Sequence, residues 1–184
     1  MPRNIEIKAV LPNRDAVLAA AAKKCELGPE TILQHDFFFR CSEGRLKLRV
    51  LGPERGELIQ YERQDVAGPR GSHYEIAHTS DPGVLLDILS RTLGRVGEVK
   101  KTRILYHVGQ TRVHIDKVEG LGDFLELEVV LRPDQTDGEA QHIAESLLRE
   151  FGIEKNQLTG KAYVDLLFSG STEAVNCPEL VPEK

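Results

Sequence analysis

Cysteine is scarce: Cys25, Cys41 and Cys177 are three in 184 residues, an odd number with no C-x-x-C pair. That argues against a disulfide framework or a zinc site and fits a reducing, cytoplasmic setting. Long apolar runs are also missing. No stretch approaches the roughly 20 residues needed to cross a bilayer, and no signal-peptide pattern opens the chain, so no membrane association is expected. Excess positive charge is absent too. A net charge of -5 argues against a general nucleic-acid binder, which normally carries a basic surface. Neither an internal repeat nor a second domain shows in the sequence. What remains is an ordinary globular composition, 29% charged and 40% apolar, long enough to bury a core.

Period-two alternation is the main pattern present. It predicts strands over roughly 3–11, 32–40, 44–51, 57–64, 72–79, 97–108, 111–118 and 123–131. Short glycine-containing turns at 42–44, 52–56, 109–110 and 120–122 join several of them as hairpins. Helical patterns fill the gaps. Asn13 caps one through Ala22, Asp81-Pro82 starts one carrying Leu85 to Leu89, a third runs from Asp137 to Phe151 before Gly152, and a short one covers about 161–168. The expected fold class is α+β: one curved antiparallel sheet or barrel with helices outside, spanning residues 1–168. Residues 169–184, rich in Gly, Ser, Pro and Glu, read as a disordered tail.

Alternation also sorts the charges by face, because successive strand side chains point to opposite sides. Asn4, Glu6 and Lys8 share one face. So do Arg45, Lys47 and Arg49; Tyr61 and Arg63; Val99, Lys101 and Arg103; Arg112, His114 and Asp116; and Glu126 and Glu128. On any one strand such a face is usually just the solvated side. Three cations on alternate positions repel, however, unless an anion faces them. If the sheet closes, these faces converge on a lumen with both a cationic ring and an acidic cluster. Lys and Arg neutralise phosphate oxygens, and clustered carboxylates suit Mg²⁺ or Mn²⁺ bridging to phosphates. His35, His107 and His114 lack an H-E-x-x-H arrangement and suit structural or phosphate-side hydrogen bonding. Gly160-Lys161 lacks the rest of a P-loop. Phe37-Phe38-Phe39 reads as core.

At these residues the sequence resembles the CYTH family of triphosphate tunnel metalloenzymes, which includes class IV (CyaB-type) adenylate cyclases and thiamine triphosphatases. The resemblance is carried by Asn4-Ile5-Glu6-Ile7-Lys8, similar to E-x-E-x-K, and by Gln34 to Phe39, Arg45 to Arg49, Val99 to Tyr106, Arg112 to Glu128, and Gly160 to Leu167. It implies a closed eight-stranded antiparallel tunnel, Mg²⁺ or Mn²⁺ as cofactor, and a small-molecule triphosphate as partner of a monomer or homodimer. Carried over by position, Glu6, Glu126 and Glu128 are implied metal ligands, with Asp116 orienting a cation or assisting. Lys8, Arg45, Lys47, Arg49, Arg63, Lys101, Arg103, Arg112 and Lys161 are implied phosphate ligands. Lys8 and Glu6 are the implied catalytic pair, Lys8 steering the attacking water. Asn4 departs from the family's first glutamate, which predicts weaker or single-metal binding, and Ala162 stands where serine is usual. Three functions stay open: hydrolysis of tripolyphosphate, thiamine triphosphate or a nucleoside triphosphate; cyclisation of ATP to cyclic AMP; or non-catalytic polyphosphate binding.

Overall fold

A computed structural model describes residues 3–63 and 68–169, with the side chains of Arg63, Arg70 and Ser169 left aside. Strands β1 (Arg3–Val10), β2 (Leu27–Phe39), β3 (Arg45–Gly52), β4 (Arg55–Arg63), β5 (Arg70–Thr79), β6 (Arg95–Val108), β7 (Thr111–Val118) and β8 (Gly122–Val130) close a barrel in the order β1-β5-β4-β3-β2-β6-β7-β8. Every pairing is antiparallel. This is the closed eight-stranded α+β tunnel that the sequence resemblance implied. The anticipated tail at 169–184 lies, beyond Ser169, outside the described residues.

The helices form where their caps place them. Asn13 accepts from the backbone N–H of Ala16 to start α1 (Arg14–Lys24), and Asp81 does the same through Val84 for α2 (Pro82–Leu93). Thr136 and Glu139 form a reciprocal capping box at α3 (Asp137–Glu150), and α4 spans Tyr163–Ser169.

Two helical layers cover the outside of the barrel. Ile7, Val113, Ile115, Leu125, Leu127 and Val129, on outward faces of β1, β7 and β8, are fully buried against Val17 and Ala21 of α1 and Ala140, Ala144, Leu147 and Leu148 of α3. Truncating one such side chain to Ala costs about 2–5 kcal/mol. On the opposite wall, Phe37, Phe39 and Leu48 pack under Leu85, Leu86 and Leu89 of α2. The aromatic run thus splits by alternation: Phe37 and Phe39 face α2, whereas Phe38 faces the lumen.

One end of the lumen is closed from within. Phe38, Val99, Val118 and Phe124 pack against Ala162, Tyr163 and Val164 of the segment entering α4. Gly97 lets α4 seat on β6, because a Cβ there would stand 2.6 Å from the Phe168 ring and 3.0 Å from Val164.

One strand boundary differs clearly from expectation. Alternation predicts β2 from residue 32, yet it begins at Leu27. Residues 27–31 are exposed and pair with β6 alone, through a bulge at Gly28-Pro29. With no layer covering them, nothing imposes an alternating pattern. Gly28 has φ +122°, and a Cβ there would approach the Leu105 carbonyl to 2.8 Å.

Candidate functional site

The lumen contains a cavity of about 200 Å³. Its wall brings together Asn4, Glu6 and Lys8 from β1, Lys47 and Arg49 from β3, Lys101 and Arg103 from β6, Arg112 and His114 from β7, and Glu126 and Glu128 from β8. Strand register explains the convergence. Lys8 lies opposite Glu126 and Glu6 opposite Glu128, while Glu128 and Glu126 in turn lie opposite Arg112 and His114.

Two guanidinium–carboxylate forks organise the cations. Arg49 donates Nε to Asp36 Oδ1 at 2.8 Å and Nη2 to Oδ2 at 3.0 Å; Lys47 Nζ adds a bond to Oδ2 at 3.0 Å. Across the lumen, Arg103 donates Nε and Nη2 to the two oxygens of Asp116, both at 2.7 Å, and Nη2 also reaches Glu126 at 2.7 Å. The Tyr163 hydroxyl donates to Asp116 at 3.1 Å, and Lys101 lies 3.4 Å from the same oxygen. Lys8 Nζ sits 3.2 Å from Glu126, donates to the Lys161 carbonyl at 3.4 Å, and lies 3.9 Å from the Tyr163 ring centroid.

Burial and charge set the protonation states together. Burial alone would raise Asp36, Asp116 and Glu126, but their cationic neighbours hold all three below the usual carboxylate range. Burial and Arg49 push Lys47 down to about 7, against the pull of Asp36. Burial and Arg103 lower Lys101 as well, although Asp116 opposes them. Burial and Arg103 lower His114, so it is a neutral imidazole at pH 7. It stands 3.8 Å from both Glu126 and Glu128, too far for a hydrogen bond.

The remaining sequence-derived residues lie elsewhere. Arg45 is outside the cavity wall and forks onto Asp165 of α4 at 3.1 and 2.8 Å, so it fastens the end plug. Lys161 has an exposed side chain, and only its carbonyl turns toward the site. Asp116 is fully buried behind Arg103, Lys101 and Tyr163; these partners take up its oxygens and place it as an orienter of cations. Arg63 belongs to β4, and its side chain is not described. His35 contacts Glu98 outside the lumen.

Two participants were not given roles from sequence. Asp36 shares its strand face with Gln34 and Phe38, and its position opposite Arg49 emerges only from the β2–β3 register. Tyr163 sits outside the strands, so alternation carries no signal for it.

The oxygen donors suit a hard divalent cation in kind. Glu6, Glu126 and Glu128 line adjacent strands, and Asn4 Oδ1 is buried among them with no hydrogen-bond partner. Asn4 Nδ2 donates to Glu128 Oε1, which also accepts from Arg112 at 3.2 Å. Among the described residues no three His, Cys, Asp or Glu side chains surround a common point, because the carboxylates turn toward cations.

Comparison with known proteins agrees with this architecture. The CYTH domain matches residues 2–163. Adenylate cyclase CyaB of Aeromonas hydrophila is 28% identical over 172 residues, covering 86% of this chain and 85% of that protein. A solved structure from Pyrococcus horikoshii superimposes with a TM-score of 0.79 at 21% identity, covering 89% of this chain and 99% of its own. A Hippeastrum protein, described as a candidate adenylyl cyclase that reveals a dominant triphosphatase activity, superimposes at 0.65 with 19% identity, covering 92% and 96%. No helix among the described residues is long and apolar enough to cross a membrane.

Proposed function

Because the chain belongs to the CYTH domain family, whose tunnel acts on triphosphates, we propose that it hydrolyses a small-molecule triphosphate inside the lumen with Mg²⁺ or Mn²⁺. The observation that carries this reading is the pair of Arg–carboxylate forks aimed at one cavity, Arg49 on Asp36 and Arg103 on Asp116. A fork fixes the guanidinium plane, so its outward N–H groups meet phosphate oxygens at low cost in side-chain entropy.

Lys47, Arg49, Lys101, Arg103 and Arg112 bind the phosphate chain, and Asp36 and Asp116 keep the two inner arginines in place. Glu6, Glu126 and Glu128 would hold the metal, with Asn4 Oδ1 as a neutral oxygen beside them. When bound, the ion neutralises developing phosphate charge and lowers the pKa of coordinated water. Water oxygen forms a bond to the terminal phosphorus while the bridging oxygen leaves with the diphosphate. Lys8 and Glu6, on one face of β1, position that water. Phe38, Val99 and Tyr163 close the lumen behind it and limit competing solvent.

Two variants separate binding from chemistry. Glu126→Ala lowers kcat by roughly 100-fold or more, the scale for losing a group that stabilises transition-state charge. Arg49→Ala raises KM with a smaller change in kcat, because it removes substrate contact. Full activity in both variants contradicts the site assignment.

Similarity to the Aeromonas hydrophila adenylate cyclase favours a second reading. There the ribose 3′ oxygen of ATP attacks the α-phosphorus, and pyrophosphate departs. Cyclic AMP among the products identifies that reaction.

A further inference from the structure

The cavity wall is not uniform. β1, β2, β3, β6, β7 and β8 supply its charges, whereas β4 and β5 contribute Ile59, Tyr61, Ser72, Tyr74 and Ile76, with no charged side chain among their described lining residues. The pattern follows from register: Ile59 lies directly opposite Ile76, and Tyr61 opposite Tyr74, so the four make one contiguous inward patch. None of the four belongs to a buried apolar cluster, and Ile76 is 42% exposed although it lines the cavity. The apolar residues at the closed end differ, since Tyr163 and Ala162 cover them.

A phosphate chain has no use for such a wall. Apolar and aromatic surface beside a charged site gains free energy only by covering an apolar or π-faced group. Its placement is also specific. Lys47 Nζ lies 5.5 Å from the Tyr61 ring centroid, and the Tyr74 hydroxyl interacts with Arg112. The patch therefore stands between two of the cations that hold phosphates.

We propose that the Tyr61–Tyr74 and Ile59–Ile76 wall is a subsite for the planar heteroaromatic ring of an organic triphosphate, so that the chain prefers such esters over inorganic tripolyphosphate. This rests on the triphosphate reading of the same lumen. The ring lies against the tyrosines while its phosphates run toward Arg49 and Arg103. Stacking of a base on an aromatic side chain is worth about 1–3 kcal/mol, or roughly 5- to 150-fold in affinity.

The test compares calorimetric affinities for three non-hydrolysable probes: adenosine 5′-(β,γ-imido)triphosphate, the imido-bridged form of ribose 5-triphosphate, and imido-bridged inorganic tripolyphosphate. The wild type should bind the adenosine probe at least about 5-fold tighter than either ring-free probe. Tyr61→Leu/Tyr74→Leu should remove that preference while keeping inorganic tripolyphosphate affinity within a few-fold. Tyr61→Phe should retain it, since the ring remains. Equal wild-type affinity for all three probes overturns the subsite, as does an undiminished preference in the folded double-leucine variant. If the wild type binds none of the probes with Mg²⁺ present, the triphosphate reading itself falls.

Discussion

Arg49 and Asp36 meet side by side across the β2–β3 register, with Nε and Nη2 of the guanidinium bonded to the two carboxylate oxygens at 2.8 and 3.0 Å. The same carboxylate holds Lys47, so one buried anion fixes two cations of the lumen. Removing one partner from such a group leaves uncompensated buried charge and costs about 3–5 kcal/mol. Asp36→Asn should accordingly lower Tm by roughly 6–20 °C at pH 7, read by thermal denaturation. The sign with pH follows from the depressed carboxyl. Its contribution is complete above the unfolded value of about 4 and fades as pH falls toward the lower folded value. The gap between wild type and variant should therefore narrow below about pH 4.

Lys47 gives the second prediction. Burial and Arg49 bring it to about 7, so it is largely cationic below that pH and largely neutral above. Binding a phosphate restores the charge and takes up a proton. Relative to Lys47→Arg, which experiences the same ionisation of the ligand, wild-type tripolyphosphate affinity should fall by up to about tenfold per unit as pH rises from 7.5 to 9. Lys47→Arg should flatten the profile, because guanidinium stays charged throughout. Calorimetry across that window checks both slopes; an equally steep profile in the variant contradicts the assignment.

The closed end of the tunnel depends on a glycine. Gly97→Val places its side chain where the Phe168 ring and Val164 sit, so α4 must shift and Tyr163 with it. The expected cost is about 1–3 kcal/mol, with weakened turnover because Tyr163 supports Lys8, Lys101 and Asp116. Adding Phe168→Ala should recover part of both losses in a double-mutant cycle. Strict additivity would place the clash elsewhere.

Asn4 places a neutral amide beside Glu128 in the cavity wall. Its Nδ2 donates to Glu128, and its Oδ1 is buried without a hydrogen-bond partner. Asn4→Glu replaces that amide donor with a carboxylate beside Glu128. Without metal this should lower Tm through like-charge repulsion, and with Mn²⁺ the rise in Tm should exceed that of wild type. Mn²⁺ binding followed by electron paramagnetic resonance should show tighter or additional sites; unchanged binding argues against a metal at this end.

The barrel was legible where period two had a buried face to obey. Ile5, Ile7, Ile115 and Leu127 alternate with Glu6, Lys8, His114 and Glu126 because one set packs under α1 and α3 and the other lines the lumen. The exposed start of β2 was not legible, for residues 27–31 have no layer to face. Within the site, strand faces reveal which residues point inward but not their partners. Lys47 and Arg49 were readable as cations facing the lumen, whereas their anchorage on Asp36 depends on register between distant segments. Arg45 and Lys161 match the same motifs, yet the placement of α4 takes one to Asp165 and leaves the other's side chain in solvent.

The central claim is tested most directly by incubating the full chain with Mg²⁺ or Mn²⁺ and, separately, tripolyphosphate, thiamine triphosphate and ATP, then resolving products by chromatography. Orthophosphate release, dependent on metal and lost in Glu126→Ala, is the predicted result. Cyclic AMP with pyrophosphate, or tight triphosphate binding with no product, would contradict hydrolysis and assign the lumen to cyclisation or to binding alone.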